Sequence, residues 1–191
     1  NLYQRIKERE KEIYKQLITT EKALTLIEEN SLLIVVDNHK PSFTEAPELL
    51  DLIDRVVVID HHRRGTEFIK GPVLTYLEPY ASSTSELVTE VLSYMSDVVY
   101  LSKFEAEALL AGITVDTKNF SFQTGVRTFE AASFLKRAGA DSGEVRQLFR
   151  DNFETTTRKA QVVKTSKIIF DKIAIGRLED NEDDSVLVAA Q

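Results

Sequence analysis

Two short apolar runs that each close on an aspartate constrain this chain most: Leu32-Leu33-Ile34-Val35-Val36-Asp37 and Val56-Val57-Val58-Ile59-Asp60. Neither alternates polar with apolar residues, and both are rich in β-branched side chains. That is the pattern of strands covered on both faces. Between them, Pro41 and Pro47 bracket a loop and Glu48–Ile53 has the pattern of a short helix. Strand, crossover helix and strand within about thirty residues make a βαβ unit, so a parallel sheet with a right-handed crossover is expected. Val73–Leu77 can add another strand. The expected class is α/β, a parallel sheet of about four or five strands flanked by helices.

The flanking helices announce themselves by their caps. Leu2, Ile6, Ile13 and Leu17 form a sparse apolar stripe, and Thr19 or Thr20 starts a second helix carrying Ala23, Leu24 and Ile27. Ser83-Thr84-Ser85-Glu86 is a capping box opening a helix through Met95. Ser102–Val115 reads as a buried helix ending near Asp116, with a strand over Ile113–Asp116 as the alternative. Phe129–Ala138 is expected to be helical and to stop at Gly139, Asp141-x-x-Glu144 to cap a helix reaching about Phe149, and Glu154–Phe170 to form a long helix. Lys172–Leu178 and Ser185–Ala189 read as strands joined by the acidic turn Glu179–Asp184. That turn lacks the spacing and glycine of a calcium loop.

Composition narrows the functions. The chain has 191 residues, 42% hydrophobic and 29% charged, a soluble globular balance. It has no cysteine, which excludes disulfides, zinc–cysteine sites and thiol nucleophiles. A net charge of −7 argues against coating duplex nucleic acid, which needs a basic face. The apolar runs are far too short to cross a bilayer, so no membrane contact by this segment is expected. The chain starts at Asn1 inside a charged helical pattern and stops at Gln191 after an apolar run, so we expect a piece of a longer polypeptide.

All three histidines lie beside a strand-end carboxylate: His39 two residues past Asp37, and His61 and His62 directly after Asp60. Reactive groups in parallel α/β sheets collect at the carboxyl ends of strands, where loops diverge. Carboxylate plus imidazole suits Mn²⁺, Fe²⁺, Co²⁺ or Zn²⁺, whereas Mg²⁺ prefers oxygen alone. An aspartate ending one strand is by itself ordinarily a turn former or cap. A buried strand closing on Asp-His-His leaves three polar groups at a core edge that need partners, and a metal is one way to supply them.

Four ordered motifs carry a resemblance: Asp37-Asn38-His39-Lys40-Pro41-Ser42, Asp60-His61-His62-Arg63-Arg64-Gly65, Pro79-Tyr80-Ala81-Ser82-Ser83-Thr84 and Gly112-Ile113-Thr114-Val115-Asp116-Thr117-Lys118. Over roughly Glu21 to Phe170 the chain resembles the DHH phosphoesterase superfamily. Within it, the chain is most similar to the membrane-tethered phosphodiesterases that hydrolyse cyclic di-AMP to linear pApA. The resemblance implies a DHH-type domain over 1–170 and the start of a DHH-associated domain over 171–191, in a cytoplasmic segment of a membrane-anchored parent. It implies that Asp37 bridges two metal ions, and that His61 and Asp116 ligate one of them. Asp60 would hydrogen-bond the histidine ligand and fix its tautomer, and His62 would contact the scissile phosphate. Arg63, Ser82 and Ser83 are the further substrate-binding candidates. The resemblance implies two Mn²⁺ per complete site.

The chain also departs from that pattern. The family's first motif, of the His-x-x-x-Asp-x-Asp type, supplies the remaining ligands, yet no His or Asp precedes Asp37. We therefore expect at most one Mn²⁺ here and a chain that is inert by itself. The substrate expected for the parent is a cyclic dinucleotide or a short linear one, with a homodimer as a possible assembly. The alternatives are a short-oligonucleotide hydrolase or an inorganic pyrophosphatase of the same superfamily, and, from another class, a degenerate domain that binds a nucleotide or partner without catalysis. Phe120 and Phe122 are weighed as base-stacking groups against ordinary core packing. His39 is left open between a loop contact and a plain polar residue.

Overall fold

The computed structural model describes residues 2–95, 100–149 and 153–176. The chain divides into two compact units, Asn1–Leu148 and Phe149–Gln191.

The first unit opens with α1 (Leu2–Arg9), α2 (Lys11–Tyr14) and α3 (Thr20–Leu24). The side chain of Thr19 caps α3 by accepting from the Lys22 N–H. Then come β1 (Leu33–Val36), a 3₁₀ turn at Pro41–Phe43, α4 (Glu48–Leu52), β2 (Val56–Asp60) and β3 (Leu74–Leu77). The strands lie in the order β1-β2-β3 and both pairings are parallel, Val35 opposite Val58 and Ile59 opposite Tyr76. Three strands form this sheet among the described residues, where about four or five were expected.

Only β2 is covered as the sequence pattern predicts. Val56 and Val58 are buried and join Val35 and Ile69 in one apolar cluster. On β1, by contrast, Ile34 and Val36 are half exposed. This strand edges the sheet, so its apolar run does not translate into burial on both faces.

The helical layer comprises α5 (Thr84–Tyr94), α6 (Lys103–Asp116), α7 (Val126–Arg137) and α8 (Ser142–Leu148). Ala106, Leu110, Ala111 and Ile113 of α6 pack with Ala131 and Leu135 of α7 and with Val145 of α8. The caps behave as their sequences dictate. Ser83 and Ser102 accept from the backbone N–H of Glu86 and Glu105, and Asp141 accepts from Gly143 and Glu144. The helix reading of 113–116 holds over the strand alternative. The α7 helix starts three residues earlier than expected, because the Thr128 hydroxyl accepts from the Gly125 N–H and closes its first turn.

In the second unit, α9 (Phe153–Thr165) is shorter than the expected helix to Phe170. Its last turn gives way to β4 (Lys167–Ile169), paired antiparallel with β5 (Ile173–Ile175). Phe170 and Asp171 both take positive φ, 55° and 54°, the pattern of a tight hairpin turn whose twist matches its strands. The hairpin thus begins at 167 rather than 172. The expected strand Ser185–Ala189 and the acidic turn lie outside the described residues.

Candidate metal centre

Each site residue is placed by the end of an element. Asp37 follows β1 and has a φ of 61°, a left-handed conformation that aspartate tolerates better than most residues. Its N–H is tied to the Ile59 carbonyl at 3.0 Å, which holds it against β2. The next loop is closed by Asn38, whose side-chain oxygen accepts from the Lys40 N–H (2.8 Å) while its amide donates to the Thr44 hydroxyl (3.1 Å). Successive residues at the end of β2 point to opposite sides. Asp60 goes inward and is fully buried, whereas His61 emerges over the strand ends.

Three of the predicted side chains meet there. The His61 Nε2 lies 3.7 Å from Asp37 Oδ1 and 3.6 Å from Asp116 Oδ2. Its other ring nitrogen, Nδ1, faces the Ala81 carbonyl at 3.4 Å. With the proton on Nδ1 and donated to that carbonyl, the Nε2 lone pair is presented to the two carboxylates. Among the described residues, one ligand atom each of Asp37, His61 and His62 lie within 4.8 Å of one another and could share a dication, while Asp116 borders this group through its approach to the His61 Nε2. The electrostatics agree. Burial, and the like charge of Asp37, push the Asp116 carboxyl above the ordinary aspartate range, with His61 and His62 acting in the opposite direction.

Asp60 does something other than expected. Its Oδ2 takes the Nδ1 of His39, and its Oδ1 takes both the Nδ1 (2.7 Å) and the backbone N–H (3.1 Å) of His62. Burial works to raise this carboxyl, but the bonds from His39 and His62 outweigh it and hold the group below the ordinary range. The expected Asp60 bond to the ligand histidine therefore goes to His62 and His39, and Ala81 orients His61 instead. Strand alternation is the reason, since neighbours 60 and 61 face apart. His39 is settled as a buried partner of Asp60, and its Nε2 has no hydrogen-bond partner among the described residues. Its proximity to Asp37 in sequence was visible; its pairing with Asp60 was not.

The remaining candidates separate. Ser82 and Ser83 are fully buried. Ser82 donates to Glu86 Oε2 at 2.5 Å and Ser83 caps α5, so both hydroxyls serve the helix start. Arg63 is exposed and lines a cavity of about 950 Å³ with Tyr80, Phe120, Ser121, Gln123 and Thr124. Arg64 stacks on Phe68, its guanidinium 3.9 Å from the ring centroid. Phe120 stacks on Phe129 and packs against the helical core, while Phe122 is half exposed with Lys118 above its ring. Beside β3, Arg127 grips Glu90 with two nitrogens (2.6 and 2.7 Å) and reaches the Tyr76 hydroxyl at 3.1 Å. That bracket ties α7 to α5 and β3, and nothing local in the sequence signals it.

The DHH family, N-terminal domain model matches residues 2–113. The chain is 48% identical over 179 residues to cyclic-di-AMP phosphodiesterase PdeA of Listeria monocytogenes, covering 94% of this chain and 27% of that protein. It is 51% identical over 179 residues to cyclic-di-AMP phosphodiesterase GdpP of Geobacillus thermodenitrificans, covering 93% of this chain and 27% of that protein. The chain thus spans about a quarter of the length of these curated relatives. Among solved structures, it is similar to an exopolyphosphatase-related protein from Bacteroides fragilis, with TM-score 0.66 and 25% identity, covering 79% of this chain and 45% of that one.

Proposed function

Since the chain belongs to the DHH family, we propose that it forms part of a metal-dependent phosphodiesterase that opens cyclic di-AMP to linear pApA. The observation that carries this reading is the convergence of His61 Nε2 with the carboxylates of Asp37 and Asp116 at the strand ends. The substrate comes from the two phosphodiesterase relatives. Manganese is the ion proposed, because a mixed nitrogen and oxygen set disfavours Mg²⁺. The donor set described supports one ion. We place the chain on the aqueous side of a membrane-anchored parent, and no described helix is long and apolar enough to cross a bilayer.

A dication held by these residues would supply Lewis acidity and would lower the pKa of water so that hydroxide is available as the nucleophile near neutral pH. The chain's own residues do the orienting. The Ala81 carbonyl keeps the proton of His61 on Nδ1 and so keeps Nε2 free for a ligand role. Asp60, buried and ionised, fixes the His62 ring, which remains more than half exposed and open to a substrate phosphate. His39 holds Asp60 from the other side.

The test is a chimera in which this chain replaces the aligned segment of the Listeria phosphodiesterase. Manganese-dependent conversion of cyclic di-AMP to pApA is expected, and it should be lost in Asp116→Asn. A folded chimera that cleaves only pyrophosphate, or only linear pApA, refutes the substrate assignment. Loss of turnover with undiminished manganese binding in Asp116→Asn refutes the ligand assignment.

A further inference from the structure

The 950 Å³ cavity beside the metal cluster lies at the upper end of the size range of small-molecule sites. Each of its three walls is tethered to the cluster. Arg63 directly follows His62, Tyr80 directly precedes the Ala81 whose carbonyl holds His61, and Phe120 lies four residues beyond Asp116. Tyr80 presents its ring to solvent, 93% exposed, at the cavity wall.

The third wall is held in a costly backbone conformation. Lys118, Asn119 and Phe120 take φ values of 47°, 59° and 62°, and Gln123 has 45°. Left-handed non-glycine residues cost about 1–2 kcal/mol each, and three in succession persist only where the surroundings enforce them. Thr117 enforces these. It is fully buried, its hydroxyl accepts from the Phe120 N–H (2.9 Å), and its carbonyl accepts from the N–H groups of Ser121 and Phe122 (both 2.8 Å). The result is a rigid wall carrying the polar side chains of Ser121, Gln123 and Thr124 next to the cluster.

We propose that this cavity is the subsite for a nucleoside of the substrate, with the Tyr80 ring stacking on its base and Arg63 taking the phosphate beyond the scissile one. The assignment rests on the phosphodiesterase reading and deepens it. Size and chemistry favour a nucleotide occupant over a bare anion. Pyrophosphate would use Arg63 and leave the aromatic wall idle, whereas a dinucleotide must place a flat, apolar-faced base close to the reacting phosphorus. Stacking on an aromatic side chain tolerates any base, so the subsite selects for the presence of a base more than for its identity.

The purified chain offers internal controls for the test, because Tyr94 and Tyr100 are as exposed as Tyr80, at 91% and 94%, and do not line the cavity. In manganese buffer, tyrosine nitration is followed by mass spectrometry with cyclic di-AMP or pyrophosphate added, and affinities are measured by calorimetry. Cyclic di-AMP should protect Tyr80 while Tyr94 and Tyr100 react unchanged, and pyrophosphate should protect none of the three. Tyr80→Ala should weaken cyclic di-AMP binding about 5- to 150-fold, the range for one base stack, with Tyr80→Phe near wild type and pyrophosphate binding unaltered. Arg63→Gln should weaken cyclic di-AMP binding as well. Binding of cyclic di-AMP with Tyr80 unprotected and Tyr80→Ala unimpaired overturns the subsite and leaves the phosphodiesterase reading standing. Failure of wild type to bind cyclic di-AMP at all overturns the subsite in this chain, and the phosphodiesterase reading then stands or falls with the chimera.

Discussion

Gly112 sits in the middle of α6, where a glycine-to-alanine change ordinarily stabilises a helix by about 1 kcal/mol. Here the opposite is expected. A Cβ built at this position would stand 2.1 Å from the Oγ and 3.0 Å from the Cβ of Ser85, on α5. Rotating Ser85 about χ1 removes the first clash but not the second, which lies well inside the ~3.5–4.0 Å of comfortable carbon contact. Relief therefore requires α5 and α6 to move apart. Overpacking of this kind costs about 1–3 kcal/mol, and because two packed helices must shift the upper half of that range is expected, leaving a net loss of about 1–2 kcal/mol. The same movement would carry Asp116, one helical turn further on, away from His61, so manganese affinity should fall with stability. Urea unfolding followed by circular dichroism reads the first effect, and a manganese titration of thermal stability reads the second. A Ser85→Gly change on the Gly112→Ala background makes room for the new methyl and should recover both, giving a coupling of about 1 kcal/mol across the pair. A Gly112→Ala chain as stable as wild type, with unchanged manganese response, would show that the helices are not in the close contact described.

Other expectations follow from single groups. Asp116→Asn removes a partly buried carboxylate beside Asp37; the folded-state pKa of Asp116 is raised, so the penalty it carries is present at neutral pH and absent below the ordinary aspartate range. The metal-free variant should accordingly be slightly more stable than wild type at pH 7, yet gain nothing from manganese. Wild type at a hundred times its dissociation constant should gain about 2.7 kcal/mol by linkage. For Asp60→Asn the sign reverses. Its folded pKa lies below the reference 3.8, so its contribution is complete above that pH and is lost as pH falls through the folded value. Replacing it should cost about 2–4 kcal/mol at pH 7, from two charge-assisted bonds, and the gap to wild type should close below about pH 4. Arg5→Met strips the main partner from Glu107, which is fully buried and otherwise has Lys103 Nζ at 3.6 Å and the Asp141 N–H at 3.3 Å. A loss of about 3 kcal/mol in urea unfolding is expected, and a change below about 0.5 kcal/mol would mean that Lys103 suffices.

Much of the fold was legible because its causes are local. Apolar β-branched runs ended by polar residues mark β1 and β2, and hydroxyl and carboxylate caps at Ser83, Ser102 and Asp141 mark three helix starts. The motifs around Asp37, Asp60 and Asp116 were readable as family patterns, and His61 from the second of them meets Asp37 and Asp116. The misplacements have local causes too. The hairpin at 167–175 was hidden by a helical pattern running into it, and half-exposed β1 looked buried because an apolar run does not reveal which strand is an edge.

What the sequence determined by itself, then, is which segments become strands and helices and which residue types stand at their ends, since propensity and capping act over a few positions. Tertiary structure alone decided which of those ends share a space. It brought Asp116 to His61 across 54 intervening positions, gave Asp60 to His39 and His62 rather than to His61, and locked Arg127 onto Glu90. Such choices depend on side-chain direction and on the packing of helices against a sheet, interactions between surfaces that are distant along the chain and leave no periodicity in it.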